Sequence, residues 1–483
     1  MKLRASAAAA LFLVFGFMGP SVSAQGILGN ALSNLAQTAT NPARAPQQGV
    51  IVRTTLGLLG LQNVCLLRGC TVAGNLDKNG GQVFLVRPLQ GLLPNLLSAV
   101  LNLVPGILDT ETDQSVTIPT SPSNQAQASN PPSGLWDTTP VSYYGTQVPD
   151  GYVNQPAAGI IRIARAHGVF NVSGEGIIAD IDTGVDPNHP ALRASLLPGY
   201  DFTRNQPGGS EMTDVGQSGT GSCASPSDSC NAVYVNQHTV AMLDHAARQH
   251  TTPALDGNGN AAFGHGTMVA GILHLVAPTA KILPLKAFRA DGSANLSDIL
   301  RAVYFAADNN ANVINMSFNL TSSSQELSSA INYAAGKNIV SVASSGNDGQ
   351  EEIVYPAASQ NVMGVASTNN SDQRSTFSNY GNRVVWVAAP GEAIVTTYPF
   401  GFYAAGWGTS FSSPFVAGTA SLVFNELNRN LATGTHGVLP QYDQSTAGWA
   451  IGHAKWIGAN MGNGRLDVYT TLSALNPVQG LLQ

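Results

Sequence analysis

From residue 135 onward, short apolar runs and helical patterns take turns along the chain, and that alternation limits the fold more than any other feature. The runs are "GIIADID" (176–182), "KILPLKAF" (281–288), "NVINMSF" (312–318), "NIVSVASS" (338–345), "NVMGVAS" (361–367) and "RVVWVAA" (383–389). A strand with one wet face would alternate apolar and polar side chains; these runs are nearly continuous, so both faces must be covered. Helical patterns at 267–276, 297–309 and 325–335 supply the cover, with Ser323 and Glu326 spaced as a capping box and Gly336 as a stop. The expected fold is α/β: three layers, with a largely parallel central sheet and helices on both faces. In an open sheet of this kind the ligand crevice lies at the carboxyl ends of the strands.

The chain ahead of this body reads differently. Lys2 and Arg4, the apolar run "AAAALFLVFGF" and the small residues "SVSA" make residues 1–24 a signal peptide, so the protein is expected to be secreted. Residues 25–118 hold a small α+β domain. "GVIVRTT" and "QVFLVRPL" read as strands in it, the Leu-rich stretch from 92 as a helix, and "ILDTETDQSVTI" as a closing strand. The apolar stretch from 92 is broken by Pro94, Asn95, Asn102 and Pro105, so no membrane span is expected. "PTSPSNQAQASNPPSG", residues 119–134, is a linker by composition, and 135–483 form the main domain. Export favours disulfides, and the cysteines fall into the local pairs Cys65–Cys70 and Cys223–Cys230; free buried thiols are the alternative. With a net charge of −6 and no Lys/Arg cluster, nucleic acid is excluded as a main partner.

Three residues combine reactive chemistry with glycine neighbours at element ends. Asp182 closes "GIIADID", His265 opens a helix in "GHGTMVAG", and Ser410 stands in "GTSFSSPFVAGTA" before a helix of small residues. A serine hydroxyl becomes a nucleophile when an imidazole takes its proton, and a buried carboxylate fixes the imidazole tautomer. At a helix N-terminus, Ser410 also gains unpaired N–H groups for an oxyanion. Asn347 in "ASSGNDG", beyond a strand end, offers a further donor.

The segments "IDTGVD", "GHGTMVAG", "SSGNDG" and "GTSFSSPFVAG", in that order, resemble the four signature segments of the subtilase family of serine proteases. The resemblance runs over roughly residues 136–475 and ends in "GNGRLDVYTTLSAL". It implies a secreted serine endopeptidase in which Asp182 orients, His265 is the base, Ser410 the nucleophile and Asn347 the oxyanion donor. It also implies that Ser317, Phe318 and Asn319 form one substrate-binding edge and Ser344, Ser345 and Gly346 the other. Polypeptides are then the substrates. Val354 or Tyr355 would lie near the pocket floor, no charged residue would occur there, and an apolar preference follows. The small N-terminal domain is similar in place and pattern to a propeptide, a folding aid and intramolecular inhibitor. The chemistry needs no cofactor.

Departures from the family pattern are few. Ala191 in "NHPAL" stands where an acidic calcium ligand is usual, and "GILHLVAP" leaves no room for a calcium loop after His265, so structural calcium there is open. Asp180 replaces the usual aliphatic residue on the same strand face as Asp182. It either perturbs the titration of the site or is held by backbone and water, the second being the expectation here. His238, His245 and His250 share a helical stretch with no carboxylate to complete a metal set and read as solvent-facing, and "DGNGNAAFG" lacks the glycine and acid of a calcium loop. Two other functions use the same residues: a peptide ligase or transpeptidase, and a non-catalytic binding protein on the same fold.

Overall fold

The computed structural model describes residues 48–78, 80–89, 92–118, 132–214, 242–243, 262–433 and 441–476. The signal segment, most of the linker, the Cys223–Cys230 pair, His238, His245 and His250, and most of "DGNGNAAFG" lie outside the described residues. The chain divides into two compact units, Met1–Gln114 and Ser115–Gln483.

In the first unit, strands Val50–Thr54, Cys70–Asn75, Val83–Pro88 and Ile107–Thr112 form an antiparallel sheet, with Val50–Thr54 paired on both sides. Helix Pro94–Leu101 begins at the proline, where a missing N–H costs nothing. Helix Gly57–Arg68 and strand Cys70–Asn75 are additions to the sequence reading. The helix shows no apolar stripe because Leu58, Leu59, Leu66 and Leu67 are exposed, while Leu61 and Cys65, one turn apart, are its buried residues. Gly69 ends it in the left-handed conformation, and Cys65 is joined to Cys70 across that turn. "ILDTETDQSVTI" is two strands rather than one: Ile107–Thr112 belongs to this sheet, and Ser115–Thr117 pairs within the second unit.

The second unit is built on an eight-stranded sheet. Across the sheet the strands run Gln206–Pro207, Tyr200–Asp201, Lys281–Lys286, Ile177–Asp182, Val313–Met316, Val340–Ser344, Val362–Thr368 and Val387–Pro390. All neighbours are parallel except the short pair at the 206–207 edge. The expected three-layer α/β fold is therefore present. Ile177–Asp182 comes first in the chain, the next long strand lies on one side of it, and Val313–Met316 lies on the other. The order reverses there, which makes its carboxyl end the switch-point crevice.

The helices His265–Val276 and Thr409–Thr433 pack on one another, and Leu296–Asp308 packs on Gln325–Ala335. His265–Val276 is buried on every side, because the hairpin Ile394–Tyr398/Phe402–Gly406 also covers it. Two local expectations shift. Ser324, not Ser323, caps Gln325–Ala335, its hydroxyl accepting from Leu327 N at 3.0 Å; the left-handed residue beyond the helix is Asn338, Gly336 staying right-handed. In "RVVWVAA" only Val387–Pro390 pairs, since Val384 and Val385 both turn their N–H back to Gly381 O.

Candidate active site

Asp182 is the last residue of the switch strand and His265 the first of its helix. His265 Nδ1 lies 2.7 Å from Asp182 Oδ1 and 2.8 Å from Oδ2, with both side chains buried. An ionised carboxylate can only accept, so the proton sits on Nδ1 and Nε2 presents its lone pair. His265 Nε2 has no hydrogen-bond partner among the described residues. The flanking glycines have steric causes. A side chain at Gly264, whose φ is +90°, would run into the Tyr398 ring, and one at Gly266 into the Gly184 carbonyl.

Ser410 is the second residue of the helix Thr409–Thr433. Its hydroxyl donates to Ser317 O at 3.2 Å rather than to the imidazole. Such bonds are often loose without substrate and tighten in the complex. Phe411 follows, its ring centroid 5.7 Å from that of His265. Asn347 Oδ1 accepts from Thr409 N at 2.9 Å and Thr409 Oγ1 at 2.8 Å, two donors that fix the amide orientation. Its Nδ2 is thereby turned toward Gly408, two residues before Ser410.

Beneath the pair lies Asp180. Its Oδ1 accepts from Asn315 Nδ2 at 3.0 Å, and its buried Oδ2 has no partner among the described residues. Its partner on Oδ1 is thus a side chain of the neighbouring strand rather than the expected backbone. Asn315 also donates to Ser317 Oγ at 3.0 Å, Ser317 donates to Ser410 O at 3.0 Å, and Ser413 Oγ donates to Asn315 Oδ1 at 2.7 Å. Burial, then the neighbouring Asp182, holds the Asp180 carboxyl well above the usual range.

Glu211 is the residue that sequence reasoning passed over. It sits in the polar loop "GGSEMTD", where nothing marks it, yet it is fully buried between the Asp182 strand and the His265 helix. Burial pushes its carboxyl up to about 8, against donors from Thr267, Gly264 and Thr183 and the charge of Lys286.

The two expected substrate edges approach one another. Ser317 and Asn319 lie on one side, with the fully buried Phe318 ring turned away against Phe288, 5.0 Å between centroids. On the other side are Ser344 and Ser345, both buried, and Gly346 at φ +97° with the Asn319 and Asn379 amides crowding its Cα. Val354 is buried, and Tyr355 pairs through its backbone with Leu320. Asp348 accepts from Asn379 Nδ2 at 3.2 Å. The strand Ser115–Thr117 pairs antiparallel with Ser293–Asn295, and Thr117 bridges to Asn319.

Ala191 is apolar, and the Asp186 oxygens accept from Asn188 N at 2.9 Å and Phe400 N at 2.8 Å. No helix among the described residues is long and apolar enough to cross a membrane.

A hydroxyl, an imidazole and a carboxylate drawn from separate elements around one α/β sheet are the makings of a serine peptidase. The Subtilase family model matches residues 174–447, more than half of the chain, and the chain belongs to that family. Thermitase of Thermoactinomyces vulgaris is 35% identical over 259 residues, covering 52% of this chain and 75% of that protein. The thermophilic serine proteinase of Bacillus sp. (strain AK1) is 34% identical over 254 residues, and the match spans 53% of each chain, so about half the length of that relative is represented. Subtilisin BL of Lederbergia lenta is 37% identical over 204 residues, 38% of this chain and 75% of that one. The crystal structure of a lanthipeptide protease shares the fold, with a TM-score of 0.50 at 22% identity over 67% of this chain and 94% of that one.

Proposed function

We propose that the chain is a secreted serine endopeptidase that hydrolyses peptide bonds through an acyl-enzyme on Ser410. His265 is the base, Asp182 orients it, and Asn347 donates to the oxyanion. The observation that carries this reading is the clasp of His265 Nδ1 by both Asp182 oxygens, at 2.7 and 2.8 Å, with Nε2 left unbonded. The reaction requires the Ser410 side chain to rotate away from Ser317 O so that Oγ reaches that nitrogen. Oγ then attacks the peptide carbonyl as Nε2 takes its proton, and the proton passes to the leaving amine as the C–N bond breaks. The oxyanion meets the Asn347 amide and the N–H groups at the start of the serine helix. Water repeats the sequence on the ester, and no cofactor takes part.

Residues 25–118 act as a propeptide and intramolecular inhibitor. The pairing of Ser115–Thr117 with Ser293–Asn295, and of Thr117 with Asn319, supports this. The Thr117–Asn319 bridge is backbone pairing at the expected substrate edge. Antiparallel to Asn319, the chain leaves Thr117 in the direction of Ser317, whose carbonyl receives the Ser410 hydroxyl. The Pro/Ser/Asn-rich segment beyond is thereby offered to the site at the high effective concentration of a tether.

A fluorophosphonate probe with peptide mapping tests the nucleophile, and should label Ser410 in the wild type and nothing in Ser410→Ala. Intact mass of Ser410→Ala from a protease-deficient host should retain residues 25–118, which the wild type sheds by a cut between roughly residues 119 and 140. A label elsewhere removes the nucleophile assignment; trimming of the variant at the wild-type position removes self-processing.

A further inference from the structure

The first turn of the His265 helix has no cap of its own. Gly264, the capping residue, has no side chain, and its contact with Tyr398 forbids one. The unpaired N–H groups of a helix start must nonetheless find acceptors. Each does so outside the helix. His265 N donates to Ala262 O at 3.1 Å, and Gly266 N to Thr183 Oγ1 at 2.9 Å. Thr267 N reaches Glu211 Oε1 at 3.3 Å, and Gly264 N reaches Glu211 Oε2 at 2.8 Å.

Glu211 takes two further donors. Thr183 Oγ1, on the residue after Asp182, donates to Oε2 at 2.9 Å, and Thr267 Oγ1 donates to Oε1. Thr183 is held from its other side as well, since the buried Lys286 donates to its carbonyl at 2.7 Å and to Asp214, from the same loop as Glu211, at 2.6 Å. One carboxylate therefore joins the residue after Asp182 to the residues on either side of His265.

We propose that Glu211 is a positioning residue for the reaction: its carboxylate clamps the start of the His265 helix to the end of the Asp182 strand and so fixes the geometry of the Asp–His pair. The proposal rests on the roles given to Asp182 and His265 above. It follows from the donor count. Four donors converge on two oxygens, an arrangement that the ionised carboxylate at a helix N-terminus satisfies completely and that neither an amide nor a protonated carboxyl can. Burial sets that ionisation at about 8, so the clamp is complete above it. In Glu211→Gln, whichever position the NH₂ takes, it faces donors, and the clamp opens on that side. A structural acid would set how much protein folds; a clamp sets how well each folded molecule works.

The test is Glu211→Gln, assayed above about pH 8 where the wild-type carboxyl is ionised, with active sites counted by fluorophosphonate titration so that turnover is expressed per competent molecule. The expected result is a kcat at least about tenfold lower, toward the ~10²-fold that a displacement on the order of 1 Å can cost, at a KM within about twofold of wild type. The low-field proton resonance of Nδ1–H between His265 and Asp182 should also move or broaden. Wild-type kcat per site with an unmoved resonance, whatever the loss of folded protein, overturns the proposal. If Glu211→Gln does not fold, Thr183→Val removes one arm of the clamp without leaving a buried amide. It should lower kcat per site by several-fold and shift the same resonance, and wild-type values for both would be equally fatal. Absence of labelling at Ser410 in the wild type would instead strike the peptidase reading, while the resonance still reports on the clamp.

Discussion

His265 and His274 lie on the same buried helix, 0% and 3% exposed, yet the groups facing them differ in kind. His265 Nδ1 meets the Asp182 carboxylate. His274 Nδ1 meets the Tyr152 hydroxyl at 3.1 Å, and that hydroxyl donates its proton to Gly271 O at 2.7 Å, so the imidazole must be the donor to the tyrosine oxygen. Burial, and then the nearby His189, lowers His274 to about 4. His189 is itself lowered by burial, with Nε2 on Phe402 O at 3.0 Å and Ala191 N donating to its Nδ1 at 3.2 Å, so it too is held neutral. One end of the helix thus keeps a histidine beside a carboxylate able to stabilise an imidazolium, and the other end keeps one that resists protonation. The residue type is the same; the partner decides whether it is chemistry or structure.

Exchanging the carboxylate for a neutral acceptor is the most damaging way to break this contrast. In Asp182→Asn the amide can hold the ring but cannot stabilise an imidazolium or enforce the Nδ1–H tautomer. Turnover should fall by about 10⁴-fold, the scale set by removing the acid of a triad, with circular dichroism unchanged. A loss of under tenfold in correctly folded protein would mean that Asp182 does not perform the orienting role.

At the other end the expected effect is on stability. His274 in the folded state stays neutral down to about 4, whereas the unfolded chain protonates it near 6.5. A lowered folded-state value means the unfolded state binds more protons, so stability present above pH 6.5 drains away as pH falls toward 4. The loss from this residue is up to about 3 kcal/mol. His274→Phe removes the titration and leaves Tyr152 its bond to Gly271 O. Urea denaturation across pH 7 to 4 should show the gap between wild type and variant narrowing, or reversing, as pH falls. Turnover per active site should stay within about twofold. A gap that is constant with pH would mean that His274 does not resist protonation.

What the sequence reveals of this arrangement depends on how locally each residue's environment is written. Asp182, His265 and Ser410 stand at element ends beside glycines, and Asn347 follows a strand end, so each carries its context in its own segment. The parallel sheet was legible for a similar reason, since burial on both faces forces continuous apolar runs. Helix Gly57–Arg68 was hidden because its leucines point both inward and outward. Glu211 was hidden more deeply. Its donors, Thr183, Gly264 and Thr267, are distant in sequence, and only the folded chain assembles them. Asp180 was visible as an anomaly, but its partner Asn315 lies on the neighbouring strand, and strand register is not readable from one segment. His274 showed no sign of its role, since Tyr152 comes from a short helix more than a hundred positions earlier.

The smallest expected effect concerns what holds this helix in place. His265–Val276 is joined to the strand Lys281–Lys286 by residues 277–280 alone. Its ends are tied by side chains: Glu211 and Thr183 at the start, Tyr152 on Gly271 O and Tyr143 on Leu275 O, at 2.7 and 2.6 Å, farther along. Thr396 and Thr397 donate to Met268 O and Thr267 O, both at 2.7 Å, from the covering hairpin. These side-chain bonds anchor the helix from its start to its last turns. Addition of a chelator should therefore lower the melting temperature by no more than about a degree or two. A ligand bound only by the folded state would contribute several kcal/mol and give a drop of about ten degrees when removed. A drop of that size, reversed by added calcium, would show that the ion is held elsewhere in the chain and that the anchors of this helix are not what limits stability.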